Sequence, residues 1–160
     1  MSCHPAISTL LKYGLEGETK LTSIISLNVG EPVTKTAGGL DMMDMVGDTT
    51  FSELKRRSRD WSYRDEKIKK EGWLMPSCKV IEGWEQKSRG KKVYFFYLWM
   101  CDKSLWMYEL KDGDFTQDGS HFIPRGHFDN QLHVRIPQEK WTPCGDLSDV
   151  VFEEDVCWIE

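Results

Sequence analysis

The stretch Val93-Tyr-Phe-Phe-Tyr-Leu-Trp-Met-Cys101 is continuously apolar and aromatic. A strand with one face in water shows a polar residue at every second position, so an unbroken run marks a strand buried on both faces. Asp102-Lys-Ser104 turns the chain and Leu105-Trp-Met-Tyr-Glu-Leu110 returns it. This pair is the expected centre of a β-sheet covered on each side. The run is far shorter than the roughly 20 residues of a membrane-crossing helix, and no membrane span is expected.

The elements that cover such a sheet can be read on either side of it. Leu11, Leu15, Leu21, Ile24, Ile25 and Leu27 recur at helical spacing, interrupted early by Gly14 and Gly17, and predict a helix from about Leu15 to Asn28. Gly30, Pro32, Gly38 and Gly39 punctuate a loop whose alternating Val33, Lys35 and Ala37 suit a short edge strand. Leu40 to Val46 and Thr49 to Arg57, around Gly47-Asp48, have the form of two strands and a tight turn. Arg59 to Lys70 is polar, with almost no apolar face, and reads as an exposed, partly helical arm on the substrate side. After Pro76, Ser77 is placed to cap a helix carrying Val80, Ile81 and Trp84 on one face, with Gly90 to stop it. Lys111 to Gln131 reads as loop, Leu132 to Pro137 as a strand, and the acidic tail from Asp146 as ordered through Val150, Val151, Phe152, Val156, Trp158 and Ile159. The expected class is α/β: a mixed central sheet of four to five strands flanked by helices.

At 160 residues, 39% hydrophobic and 29% charged, the chain suits one globular domain spanning 1–160. Met1-Ser-Cys-His-Pro-Ala-Ile lacks the basic start and apolar core of a secretory signal, so an intracellular location, cytoplasmic or nuclear, is expected. Cys3, Cys78, Cys101, Cys144 and Cys157 form no short-spaced pair, and His121, His127 and His133 pair with none of them. They read as reduced thiols without a structural zinc site.

The net charge of −5 conceals a division: residues 55–92 sum to +7 and the remainder to −12. A basic middle on an acidic protein attracts phosphate locally without general adhesion. A solvated helical face explains the same numbers, and only a chemical constellation decides between them.

That constellation lies in the hairpin. Cutting a phosphodiester calls for a divalent cation to carry charge at the phosphate and make water nucleophilic near neutral pH. Magnesium wants carboxylate oxygens. Two carboxylates on neighbouring strands, with a Lys two residues after the second, meet the requirement, because alternation puts Glu53 and Lys55 on one face. On the first strand the turn decides. An even-length turn gives residues 40, 42 and 44 the face of Glu53 and selects Asp44; an odd turn or a bulge selects Asp41.

Gly39-Leu-Asp-Met-Met-Asp-Met-Val-Gly-Asp-Thr-Thr-Phe-Ser-Glu-Leu-Lys-Arg-Arg57 resembles the core of the PD-(D/E)XK nuclease superfamily, especially its archaeal Holliday-junction resolvase-like branch. The resemblance implies a restriction-endonuclease-like sheet and Mg2+ or Mn2+ held by Asp41 and Glu53, with Lys55 beside them. Asp44 is the rival to Asp41, which lacks the Pro that precedes it in many members. The resemblance also implies a Glu from the preceding helix, Glu16 ahead of Glu18, and weaker roles for Lys79 and Gln86 on the following helix. Arg56, Arg57, Arg59 and Arg64 would meet backbone phosphates, with DNA preferred to RNA and a homodimer the form expected of resolvases.

Two readings from other classes stand beside this one. In a non-catalytic interaction protein, Glu53 and Lys55 are a cross-strand charge pair. In a single-stranded nucleic-acid binder, Trp61 and Trp73, whose neighbours are polar, stack on bases beside the basic arm.

Overall fold

A computed structural model describes residues 7–36, 44–111, 122–124 and 132–153. Helix α1 runs Ile7–Val29, straight through Gly14 and Gly17 and well before the expected start at Leu15. Each glycine costs about 1 kcal/mol against alanine, which the burial of Leu21 and Ile25 on the sheet outweighs. Gly17 faces β3: a Cβ there would stand in ordinary contact, 3.4 Å from the Arg56 side chain and 3.5 Å from Leu54. Leu15 and Leu27, counted into the helical pattern, face water.

Strands β1 (Thr34–Lys35), β2 (Met45–Val46) and β3 (Thr50–Arg57) form an antiparallel meander. The short helix α2 (Glu66–Glu71) and strand β4 (Trp73–Pro76) follow, and helix α3 (Ser77–Ser88) carries the chain over to β5 (Lys92–Trp99). β5 lies parallel to β3, with Glu53 beside Phe95 and Arg57 beside Trp99. β6 (Ser104–Glu109) returns antiparallel. β7 (Phe122–Pro124) and β8 (Leu132–Ile136) join β4 in a second sheet, ordered β4-β8-β7. β9 (Thr142–Asp146) completes the main sheet, ordered β1-β2-β3-β5-β6-β9.

The main sheet therefore has six strands rather than four to five. The surplus is at the edges: β1 has two residues, and β9 contains Pro143 and Gly145, which read as breakers. Its pairing comes from β6, whose register shifts between Leu105 and Trp106 to accommodate it. Part of the segment read as loop, Phe122–Pro124, is strand. At α3, Pro76 rather than Ser77 occupies the cap position, with no side-chain cap bond, and Ile81 is 55% exposed instead of sharing the buried face of Val80.

Central β5 is buried from Val93 to Trp99, as its composition demands. On one face of the sheet, Leu21 and Ile25 of α1 pack on Leu54, Phe96, Leu98 and Leu105. On the other, Val80 of α3 and Trp73, Met75, Val134 and Ile136 of the second sheet pack on Phe95, Tyr97 and Trp99. β3 shares this division, with Leu54 turned to α1 and Phe51 to the opposite core. Among the described residues no helix is long and apolar enough to cross a membrane.

Candidate active site

The β2–β3 ladder stops at Met45 opposite Ser52, one step before Asp44 and Glu53. With Val46 opposite Phe51, the four residues 47–50 make an even-length turn, so Asp44, not an odd-register residue, comes to Glu53. Two crossed bonds take the place of the ladder. The Asp44 N–H donates to Glu53 Oε2 at 3.1 Å, and the Leu54 N–H donates to Asp44 Oδ2 at 2.8 Å. Each carboxylate thus satisfies a backbone group that a longer β2 would have paired. Asp41, the first choice as ligand, lies outside the described residues.

Glu53 is 7% exposed. Its partner from the opposite side is Lys79 of α3, Nζ to Oε2 3.5 Å. Burial, then repulsion by Asp44, raises the Glu53 carboxyl well above its ordinary range, while Lys79 pulls it down. Glu18 reaches the same cluster from α1. Burial, a hydrogen bond to Asp44 and repulsion by Asp44 push its carboxyl up to about 8, against the pull of Lys35, whose Nζ is 3.6 Å from Glu18 Oε2. A hydrogen bond between two carboxyl groups needs a proton on one of them. Burial and the like charge of Asp44 thus both favour the protonated forms of Glu18 and Glu53.

Glu16, ranked ahead of Glu18, is engaged elsewhere. Its Oε1 lies 3.0 Å from Arg56 Nη1, with 9% and 1% of the two side chains exposed, and its Oε2 accepts the Glu153 N–H. Arg56 is thus a buried partner of α1, covered by the Phe152 ring at 4.5 Å, and the expected phosphate clamp loses its first member. The physical reason is strand alternation, which gives neighbours 56 and 57 opposite faces. Lys55 is half-buried and keeps the face of Glu53. Arg59 is exposed. Arg64, 62% exposed, meets Asp102 at 3.1 Å. Gln86 is buried, with its amide donating to Glu82 Oε1 one turn back at 2.9 Å.

Farther along the same face of β3 a cavity of about 570 Å³ opens, lined by Arg57, Asp60, Trp61, Lys67, Glu71, Trp73, Tyr97 and Trp99 among others. Arg57 is fixed at its wall: its Nε–H donates to Tyr97 Oη at 2.8 Å, and that hydroxyl donates to the Leu74 carbonyl at 3.1 Å. Gly72 shapes the corner between α2 and β4. With φ +92°, a Cβ would stand 2.8 Å from the Ile136 carbonyl oxygen, so only glycine lets α2 close against β8. Trp73, read as a base-stacking candidate, is 1% exposed and packs on Trp141 at 5.0 Å; its hydrophobic body outweighs its polar neighbours in sequence. Trp61 remains half-buried.

Lys79, given only a weaker role by the resemblance, is the ion-pair partner of Glu53 from α3; Tyr97 has no signal in the sequence, because within an apolar strand nothing distinguishes a hydroxyl that fixes an arginine. Cys78, Cys101 and Cys144 form no disulfide with one another. Among the described residues no group of three or more His, Cys, Asp or Glu side chains stands at metal-holding distances. No family model, curated protein or solved structure matches the chain.

Proposed function

We propose that this protein is a divalent-metal-dependent nuclease that hydrolyses phosphodiester bonds, DNA ahead of RNA, on a restriction-endonuclease-like core. The observation that carries the reading is the meeting of Asp44 with Glu53 across the end of β2, with Lys55 two residues on and on the same face. Helix, meander, crossover helix and central strand also follow in the order of the superfamily that the hairpin resembles.

The donor set suits a hard cation. Asp44, Glu53 and Glu18 offer carboxylate oxygens without sulfur or imidazole, and burial together with the nearby Asp44 raises the Glu18 and Glu53 carboxyls. A bound Mg2+ or Mn2+ would supply charge at the scissile phosphate and bring the attacking water toward ionisation. Asp44 and Glu53 would hold it, Glu18 would give up its proton as it joined them, and Lys55 would orient the water. Lys79 positions Glu53. Water attacks phosphorus and the sugar oxygen leaves, so no covalent intermediate with the protein arises.

The test is cleavage of branched, duplex and single-stranded DNA and RNA in manganese or in EDTA. We expect manganese-dependent cutting, reduced roughly 100-fold or more in Glu53→Gln and in Lys55→Ala. Folded wild-type protein that cuts nothing, and whose melting temperature ignores manganese, would sink the nuclease and leave a non-catalytic binding protein.

A further inference from the structure

We propose that the cavity beside Arg57 is a nucleobase pocket, which seats one unstacked base of a single strand while the phosphate to be cut lies at Glu53. The location of that phosphate rests on the nuclease reading; the binding of the base does not.

Size and walls come first. At about 570 Å³ the cavity falls within the range of small-ligand sites, roughly 300–1,000 Å³. Half-buried Trp61 gives it an aromatic wall, a surface on which single-stranded bases stack irrespective of sequence, and the buried rings of Trp73, Tyr97 and Trp99 lie behind it. The Trp73 and Trp99 indole N–H groups have no acceptor among the described residues although both residues are 1% exposed. Base carbonyls and ring nitrogens are acceptors of the kind they lack.

Charge then selects the part of the nucleotide. Asp60, Asp65 and Glu71 outnumber Arg57 and Lys67 around the cavity, which disfavours a phosphate there and favours a neutral ring that carries N–H donors. Arg57 serves as a fixed plane rather than a swinging cation: it is 7% exposed, tied to Tyr97, and its Cζ stands 5.5 Å from the Trp61 ring centre. So held, Arg57 backs the Trp61 ring at the cavity wall.

Position completes the argument. Arg57 is four residues beyond Glu53 on one strand and one face, a distance of about 13 Å. A single strand crossing Glu53 can place a neighbouring base in the cavity without doubling back. A duplex cannot, because its bases are stacked inward.

The test is binding in EDTA, so that no cutting is needed, of single-stranded DNA and RNA oligonucleotides in which one abasic site is moved through the sequence. Tryptophan emission reports occupancy. One abasic position should weaken binding about tenfold while the others change it little. Trp61→Leu should erase that difference, and Trp61→Phe should restore it within about threefold. If every abasic oligonucleotide binds as tightly as the intact one, with no tryptophan quenching, the pocket is overturned. Base discrimination by a protein that cuts nothing sinks the nuclease reading alone. Manganese-dependent cutting by a protein indifferent to abasic sites sinks the pocket alone.

Discussion

Glu18 ties the site to pH. Its carboxyl, ordinarily at 4.5, is pushed to about 8 in the fold, by burial first and then by Asp44. A folded-state value above the unfolded one favours the protonated form in the native protein. The associated stability is complete below about 4.5 and is lost as pH rises through about 8. Glu53 is raised in the same sense. Metal-free protein should therefore melt at a lower temperature at pH 9 than at pH 6, and Glu18→Gln should flatten that slope; equal slopes in the two proteins would discard the assignment. Manganese held as proposed would compete with the protons, so its stabilising effect should grow over the same interval, and binding should release protons into a weakly buffered solution. The sequence made Glu53 and Lys55 legible because period-two alternation needs only their spacing. The sequence favoured Asp41 by resemblance and left Asp44 as its rival, because the parity of the turn is not a local property. Glu16 and Glu18 differ only in where the helix faces fall, a phase set by how Leu21 and Ile25 of α1 pack on the sheet.

Strand β3 serves two layers at once, and the roles of its residues follow from that. Arg56 and Glu16 form a pair almost wholly removed from water, where loss of one partner strands the other charge and costs about 3–5 kcal/mol. Arg56→Met should lower the melting temperature by about 10 °C, and Arg56→Met with Glu16→Leu should recover most of the loss. Affinity for nucleic acid should change in neither. Weakened nucleic-acid binding by the folded double variant would return Arg56 to the phosphate-contacting set. Among the elements, β5 and the β2–β3 hairpin were legible because burial on both faces and a tight turn are local properties. The second sheet was not, since β4 spans four residues, Trp73–Pro76, and becomes a strand only when β8 pairs with it. The cavity was likewise hidden: its walls join residues 57–74 to Tyr97 and Trp99, which no sequence window contains.

Over the whole molecule, charge is opposed between a basic middle at +7 and an acidic remainder at −12. If a polyanion binds as proposed, its attraction to the exposed cations of that middle segment should be steeply salt-dependent. Arg59 is exposed and Arg64 is 62% exposed, so each can exchange its present surroundings for a phosphate at little expense. Arg59→Ala and Arg64→Ala should each weaken single-strand binding evenly across sequences and reduce the logarithmic salt slope by about 0.7. An unchanged slope in both would move the strand's path off this arm. The two-sidedness of β3 also governs how the chain can vary through descent. Substitutions there act one layer at a time, so the face of β3 toward α1 and the face that carries Glu53 are free to drift separately. A single inserted or deleted codon between Thr50 and Arg57 would exchange every inward and outward side chain beyond it. Descendants of this protein should accordingly keep the length of that strand unaltered while the loops around it lengthen and shrink.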